Sequence, residues 1–477
     1  MLVIDVGTSG IRAAVVQPGR GVIASRHRVL LPISPAPGLV EFDARAMATA
    51  VVELGLEVVA EVGAVDGVGV TNQRASTIVW DRHTGEPVGP GIGWQDLRTV
   101  IDCLTLAGQG IRLAPNLSAT KASHLLDQAD PDRSRDLCIG TVDSWVIWTL
   151  TQGQVHVTDA TNVALTGLRT DDQEQWNDQV LQALRIGVGA LPAVVDSIGV
   201  VGSATALPGN PPIAGILGDQ QASLLGQGCV EPGNAKITFG TGGMLDLCLA
   251  DRPSFATQGA GGTFPIVTRG AQGQRRWGLE AVMLAAGTNV EWLRDDLGII
   301  TDAAESHQVA SQCADSEGVA YVPALLGLGT PTWDYGARGA LLGITRGSGR
   351  PQIVRAVLEG VANRAADLVE AAEADSSLTI PVLRIDGGMS DNPTFVQALA
   401  NATSRPIEVS PEKESTTLGA AYAARLALGA WKDDSEIAST WQPRTVVEPN
   451  ATVDRDRWAD TLKRAERWFP ELSAISF

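Results

Sequence analysis

Positive charge is scarce in this chain: 36 lysines and arginines stand against 54 aspartates and glutamates, for a formal net charge of −18. Phosphate neutralisation on nucleic acid needs clustered Lys and Arg, so no nucleic-acid partner is expected. Long apolar runs are missing too. No stretch approaches the 18 or more consecutive apolar residues that a membrane span requires, so no membrane insertion is expected. The first ten residues, MLVIDVGTSG, lack the basic segment and cleavage site of a signal peptide and lead straight into a strand. Cysteine is sparse. Cys103, Cys138, Cys229, Cys248 and Cys313 show no CxxC spacing and read as reduced, buried thiols of a cytoplasmic protein. The five histidines have no metal-ligand spacing. No GxxxxGK[ST] occurs, and no HRD or DFG set, which excludes P-loop and protein-kinase architectures. Low-complexity linkers are absent, yet 477 residues exceed one ordinary core, so two or three tightly apposed domains are expected.

Near the middle stands the stretch Ile213 to Gly228, IAGILGDQQASLLGQG. Ile213 to Leu217 reads as a buried strand, Gly218 breaks it, and Gln220 to Gln227 has the composition of a helix. Asp219 falls at the junction, where the helix dipole favours an anion. An Asp there is ordinarily a helix cap. Two glycine-rich hairpins at a distance change that reading. Leu2 to Val6 and Ile11 to Val16 are strands joined by a GTSG turn, whose backbone N–H groups and the hydroxyls of Thr8 and Ser9 form a nest for an anion. Ile237 to Met244 repeats the pattern of Ile4 to Ile11 without a gap, with Ile, Gly, Thr and Gly at the same offsets. The repeat suggests a duplicated domain with a ligand between the copies. Only the first copy brings a carboxylate, because Asp5 is answered by Thr238.

The remaining pattern is α/β. Val22 to Leu30 reads as a strand, and Asp43 caps a helix to about Val62 with Met47, Val51, Leu54 and Val58 on one face. Val65 to Val70 is a strand ending in TNQR, polar residues at an edge where ligands gather in open α/β sheets. Thr77 to Trp80 is another strand, and Leu137 to Thr149 is a strand running into a helix. Ala183 to Pro212 reads as a connecting region. Glu280 to Leu297 reads as helical, interrupted by Gly287, and Ile353 to Glu373 as a long amphipathic helix. Pro381 to Ile385 is a strand opening into DGGMSDN before a helix from Pro393, a seat for a nucleotide. The tail from about Asp434 reads as closing helices.

Two phosphate hairpins and two separated aspartates suit phosphoryl transfer, which needs donors around the phosphates, Mg²⁺ to neutralise charge and a group to take the nucleophile's proton. Asp219 fits the base, and Asp5 an outer ligand of the metal. Positioning and electrostatics supply most of such catalysis.

The stretches DVGTSGIR, VGVTNQRASTIVWDRHTGEPV, IGWQDLRT, GTVDSWVIWTLTQGQVHVTDATN, GILGDQQASLLGQ, FGTGG, YVPALLGLGTPTWDYGARGALLGITRG and IDGGMSDN resemble the FGGY carbohydrate kinases, and among them most resemble the glycerol kinases. They span roughly residues 1 to 430, and Gly339 to Glu359 fits a family signature. The resemblance implies two actin-like, ribonuclease-H-like domains, 1–228 and 229–477, closing on ATP, Mg²⁺ and a small polyol or sugar. It assigns ATP to Thr8, Ser9, Gly10 and Arg12, to Thr241 and Gly242, and to Gly287, Glu291, Gly388 and Asn392. It makes Asp219 the catalytic base and, with Asp5, a metal residue. It places Gln220, Arg74 and Trp94 at the substrate.

The departures fall in that substrate pocket. Glycerol kinases have an acid after NQR where this chain has Ala75, a tyrosine near the position of Asn116, and an aromatic where Met244 stands. An altered pocket for a longer polyol or a ketose is expected, with Asn116 as a new amide partner. A glycerol kinase with a rearranged pocket, an actin-like ATPase or chaperone module, and a silent sugar sensor stay open, as does a homo-oligomer.

Overall fold

Thirteen strands form one continuous sheet in the computed structural model, which describes residues 1–475. In chain order they are β1 (Leu2–Val6), β2 (Gly10–Gln17), β3 (Gly21–Val29), β4 (Val68–Asn72), β5 (Ile198–Ser203), β6 (Pro212–Gly218), β7 (Ala235–Phe239), β8 (Gly243–Cys248), β9 (Phe264–Ala271), β10 (Gln274–Met283), β11 (Leu383–Asp386), β12 (Ile407–Val409) and β13 (Thr445–Val447). Side by side the order is β13-β12-β11-β7-β8-β10-β9-β5-β6-β4-β1-β2-β3.

One design occurs twice within it. β1 pairs antiparallel with β2 and parallel with β4, β2 antiparallel with β3, and β4 parallel with β6. Likewise β7 pairs antiparallel with β8 and parallel with β11, β8 antiparallel with β10, and β11 parallel with β12. This is the expected pair of ribonuclease-H-like cores in an actin-like arrangement. The pair Ile198–Ala271, between β5 and β9, joins the half-sheets.

Each half has its own apolar core. In the first, α1 (Ala44–Val62) lays Met47, Val51, Leu54 and Val58 on Leu2, Ile4 and Val70. Asp43 starts that helix by accepting from the N–H groups of Arg45 and Ala46 at 2.9 and 3.0 Å, which satisfies two of its free donors. In the second, α3 (Arg350–Ser376) and α4 (Pro393–Thr403) cover Ile237, Leu245 and Ile385 through Val357, Val361, Phe395 and Leu399. Between the halves lie α2 (Asp219–Gly226) and α5 (Ser415–Ala427), packed on each other. Although α5 comes late in the chain, its Leu418, Ala420 and Ala421 pack with Val3, Val16 and Ala214 of the first half.

Four expectations are corrected. Glu280 to Leu297 is not helical at its start. Gln274–Met283 is strand β10, with Gly278 to Ala281 buried on both faces, and only Thr288–Glu291 and the π-turn Trp292–Asp296 are helical. The region from Ala183 to Pro212 is more than a connection, since it contains β5 and therefore the seam of the sheet. The tail contributes an edge strand, β13, besides the helices Asp434–Ser439, Arg455–Lys463 and Pro470–Ser473. The hairpins are not gapless copies. Val6 pairs with Ile11 across a four-residue turn, whereas Phe239 pairs with Gly243 across three, so the second strands are offset by one residue. All five cysteines are free thiols; four are buried and Cys313 is half-buried. No helix among the described residues is long and apolar enough to cross a membrane.

Candidate active site

Asp219 is the first residue of α2, directly after strand β6, and Gly218 is the N-cap. Its Oδ1 accepts from the Gln220 N–H at 2.8 Å and lies 3.3 Å from Arg74 Nε. A third of the Asp219 side chain, 32%, is open; protein surrounds the rest, and this burial pushes its carboxyl upward against the pull of Arg74. Gly218 is glycine for a steric reason. A Cβ there would lie 2.7 Å from both Arg74 Cδ and Gln221 Oε1, so a side chain would displace the guanidinium.

Arg74 sits just past the end of β4 and joins the two halves. Its Nη2 donates to Glu280 Oε2 on β10 at 2.6 Å, and its Nη1 reaches Gln221 Oε1 at 3.5 Å. Burial alone would lower this guanidinium, but Glu280, Asp219 and Asp246 more than offset it and hold it charged. Glu280 is 8% exposed, and its own carboxyl is raised by burial against Arg74. A helical reading of this segment does not bring Glu280 to the site; only as a strand does it face Arg74. From Arg276 to Glu280 the strand passes from exposed through half-buried to buried, with no alternation of burial to mark it.

Ala75 follows in the left-handed region at φ 60°, and the Ser76 N–H bonds the Arg74 carbonyl at 2.8 Å. A positive φ inside such an i to i+2 bond makes a strained γ-turn. The turn aims Ser76 inward, where its Oγ accepts from the Trp94 N–H at 3.0 Å and donates to Gln73 Oε1 at 3.1 Å. Trp94 in turn donates its indole N–H to Thr8 Oγ1 at 3.2 Å. Trp94 and the first hairpin are thereby tied together. Lys121, fully buried, donates to the carbonyls of Trp94 and Asn116 at 3.2 and 2.9 Å. The Asn116 residue is itself exposed.

In the first hairpin, Thr8 is half-buried, Ser9 exposed and Gly10 buried. Asp5, opposite Arg12 on β2, accepts from Thr417 Oγ1 at 3.5 Å. Burial raises the Asp5 carboxyl to about 6, with the neighbouring Asp219 adding to the rise and Arg12 opposing it. The Arg12 guanidinium is paired with Glu414.

On the second hairpin, the Thr241 carbonyl accepts from the Ala286 N–H at 2.8 Å and the Gly240 carbonyl from the Gly287 N–H at 2.9 Å, so Thr241, Gly242 and Gly287 converge. Past β11, Gly387 has φ 89°, and a Cβ there would lie 2.3 to 2.9 Å from the Phe239 backbone, which brings Gly388 beside the same hairpin. Gly388 itself faces open space. Asn392 is engaged as the cap of α4, accepting from the Phe395 N–H at 3.1 Å and donating to Ser306 Oγ at 2.9 Å. Glu291 is exposed at the end of its short helix.

Both halves match family models: residues 1–226 the N-terminal domain, and residues 235–428 the C-terminal domain, of the FGGY family of carbohydrate kinases. The chain belongs to that family. It is 39% identical to the glycerol kinase of Trichlorobacter lovleyi, over 98% of this chain and 99% of that protein. It is equally 39% identical to glycerol kinase 2 of Thermotoga maritima, again over 98% and 99%. Its fold superposes on the Plasmodium falciparum glycerol kinase with ADP at a TM-score of 0.88 and 27% identity, covering 100% of this chain and 99% of that one. The xylulose kinase of Lactobacillus acidophilus shares the fold, with a TM-score of 0.82 at 22% identity over 99% and 97% of the two chains. The chain is an ATP-dependent carbohydrate kinase that transfers a phosphoryl group to a hydroxyl of a small molecule.

Proposed function

We propose that Asp219 is the general base that takes the proton of the acceptor hydroxyl, and that the acceptor is a polyol or ketose of four or five carbons. One observation supports this reading most: Arg74 is held between Asp219 and Glu280, which fixes a cation beside a carboxylate that is still partly open to the cleft. The acceptor sits against Arg74, Trp94 and Gln220, with Asn116 at its far end. The raised carboxyl of Asp219 suits a base, since a proton acceptor works best with its pKa moved toward the working pH. The triphosphate lies between the Thr8–Ser9–Gly10 and Thr241–Gly242 turns, with Arg12 at the edge of the first. The adenosine lies toward Gly287, Glu291, Gly388 and Asn392.

Among the described residues no three His, Cys, Asp or Glu side chains group closely enough to cage a metal. Asp5 and Asp219, two neighbouring carboxylates, fit Mg²⁺ instead, which keeps most of its waters and takes one or two carboxylates together with substrate phosphates. Bound there, Mg²⁺ would supply positive charge to the phosphates. The protein works in the cytoplasm, where ATP is available.

Ala75 supports the larger acceptor. It is 5% exposed and carries only a methyl group where glycerol kinases present a carboxylate to a hydroxyl, an interaction of about 2 kcal/mol. Met244 adds room in place of an aromatic. A second reading, glycerol itself, is favoured by the relatives, glycerol kinases 39% identical over 98% of the chain. ADP release across polyols and ketoses of three to six carbons separates the two. The expected result is a higher kcat/KM for a four- or five-carbon acceptor, with Ala75→Glu shifting the ratio toward glycerol by about tenfold. Glycerol as the best wild-type acceptor by about tenfold would establish the second reading instead.

A further inference from the structure

Lys236 is fully buried on β7, and its ammonium reaches the buried Asp246 Oδ2 at 2.7 Å and two half-buried residues, Gln220 Oε1 at 2.6 Å and Thr238 Oγ1 at 2.9 Å. Asp246 is equally buried and stands directly across from Lys236 on β8. Neither of its carboxylate oxygens has an aligned hydrogen-bond donor, so Lys236 balances its charge by proximity alone. A buried ion pair is a poor source of stability compared with apolar packing. The corresponding pair in the first half-sheet is apolar, Val3 opposite Ala14, so the fold does not need charge at this register.

What the pair does reach is Gln220. An ammonium has three donors and no acceptor, so only the oxygen of the Gln220 amide can face it. With Oε1 taken, the NH₂ group is the end left for the cleft. We infer that Lys236 is a positioning residue, held by Asp246, that fixes Gln220 as a hydrogen-bond donor to an oxygen of the acceptor next to the reacting hydroxyl. The inference rests on the acceptor lying beside Asp219 and Gln220. Lys236 and Asp246 flank the second hairpin, whose turn is Gly240 to Gly242, so the residue that orients the acceptor is anchored to the strands carrying a phosphate cradle. An acceptor presenting a hydroxyl or keto oxygen at that place is favoured, and a deoxy analogue is disfavoured.

The test uses the full-length protein and the best acceptor of the polyol and ketose series. Gln220→Glu keeps an oxygen toward Lys236 but presents a second acceptor to the cleft. It should raise the acceptor KM at least tenfold while the ATP KM stays within twofold. The apolar swap Lys236→Met with Asp246→Leu should raise the acceptor KM by about threefold to tenfold, and Gln220→Ala added to it should raise it no further. Unchanged acceptor KM in Gln220→Glu, or multiplying effects of the swap and Gln220→Ala, overturns the inference. A ligand-free measurement separates this failure from failure of the functional reading. Gln220→Glu should leave Tm unchanged or higher with Lys236 present, and lower it in the apolar-swap background, where the new carboxylate has no cation. A Tm change equal in both backgrounds means Lys236 does not hold residue 220 and overturns the inference. If no acceptor is phosphorylated while the Tm pattern holds, the functional reading alone fails.

Discussion

In the first half of the molecule Asp5 stands opposite Arg12 near the hairpin turn, and two residues back along the strands Val3 faces Ala14. In the second half Thr238 faces Met244 near the turn, and two residues back Lys236 faces Asp246. The same two rungs are therefore charged-then-apolar in one half and neutral-then-charged in the other. Each hairpin also rests on a different helix. Val3 packs on Leu418 and Ala420 of α5, and Asp5 meets its Thr417; Lys236 and Thr238 meet Gln220 and Ser223 of α2. The duplicated backbone provides a glycine-rich turn twice, but the charged rung differs: Asp5 with Arg12 beside the first turn, and Lys236 with Asp246 two residues deeper below the second.

The largest expected break in that comparison is at the deeper rung. Lys236→Met leaves Asp246 uncompensated in the interior and should lower unfolding stability by about 3–5 kcal/mol, whereas adding Asp246→Leu should recover most of it. Chemical denaturation of the single and double variants reads this directly, and a single variant within about 1 kcal/mol of wild type would refute it.

Next in size is the carboxylate shared by both halves. Asp219→Asn should cut kcat by roughly 10² or more, the scale of lost acid–base help, with both KM values held within a few-fold. Its stability should not fall, because burial already opposes the charged form of Asp219 and Arg74 keeps Glu280 as a partner. Steady-state kinetics beside thermal melts show whether the two buried charge sites really answer in opposite ways. Near wild-type turnover in this variant would remove Asp219 from the chemistry.

These contrasts also mark what could be read in advance. Both hairpins, the Asp219 junction and the helix capped by Asp43 were legible, since turn glycines, an apolar run and a 3.6-residue period are local signals. The repeat was legible on β7 but slipped on β8, because a three-residue turn and a four-residue turn look alike in a glycine-rich string. Lys236, Asp246 and Glu280 carried no local signal at all. They are neighbours only through cross-strand register, Lys236 with Asp246 and Asp246 with Glu280, and Arg74 meets Glu280 across 206 residues of chain. The motif points to the Asn116 side chain, yet its carbonyl makes the bond to Lys121.

Lys121 sharpens the comparison at a third level, since it is a second buried lysine but has carbonyls where Lys236 has a carboxylate. Burial lowers its ammonium from 10.5 to about 7, with Asp96 pulling the other way, Cys103 more weakly so, and Arg98 adding to the fall. Between pH 7 and 10.5 the unfolded chain then binds more protons than the folded one, so stability should rise with pH over that window, by at most about 1.4 kcal/mol per pH unit. Below about pH 7 the full penalty is present. The difference in unfolding free energy between wild type and Lys121→Met, measured at pH 7 and pH 9, should move in favour of wild type. A flat difference would mean that Lys121 stays charged in the folded protein.

The smallest effect is expected where equivalent strands end. β4 and β11 occupy the same place in the two half-sheets, and both are followed by a residue with positive φ, Ala75 at 60° in one and Gly387 at 89° in the other. Glycine is forced at Gly387 because a Cβ would strike the Phe239 backbone. At Ala75 the methyl group fits, and the left-handed conformation costs roughly 1–2 kcal/mol. Ala75→Gly removes that strain but gives the unfolded chain more freedom, worth about 0.4–1 kcal/mol in the opposite sense. The net change should therefore be a stabilisation of between about 0 and 1.6 kcal/mol. Activity should move as well, because the γ-turn carries Arg74 on one side and Ser76, the anchor of Trp94, on the other. Loosening it should raise the acceptor KM by a few-fold with the ATP KM unchanged. Urea denaturation and acceptor kinetics on the same preparation check both halves of this expectation, and a destabilisation beyond about 1 kcal/mol would show that the turn is held by the Ala75 methyl group rather than strained against it.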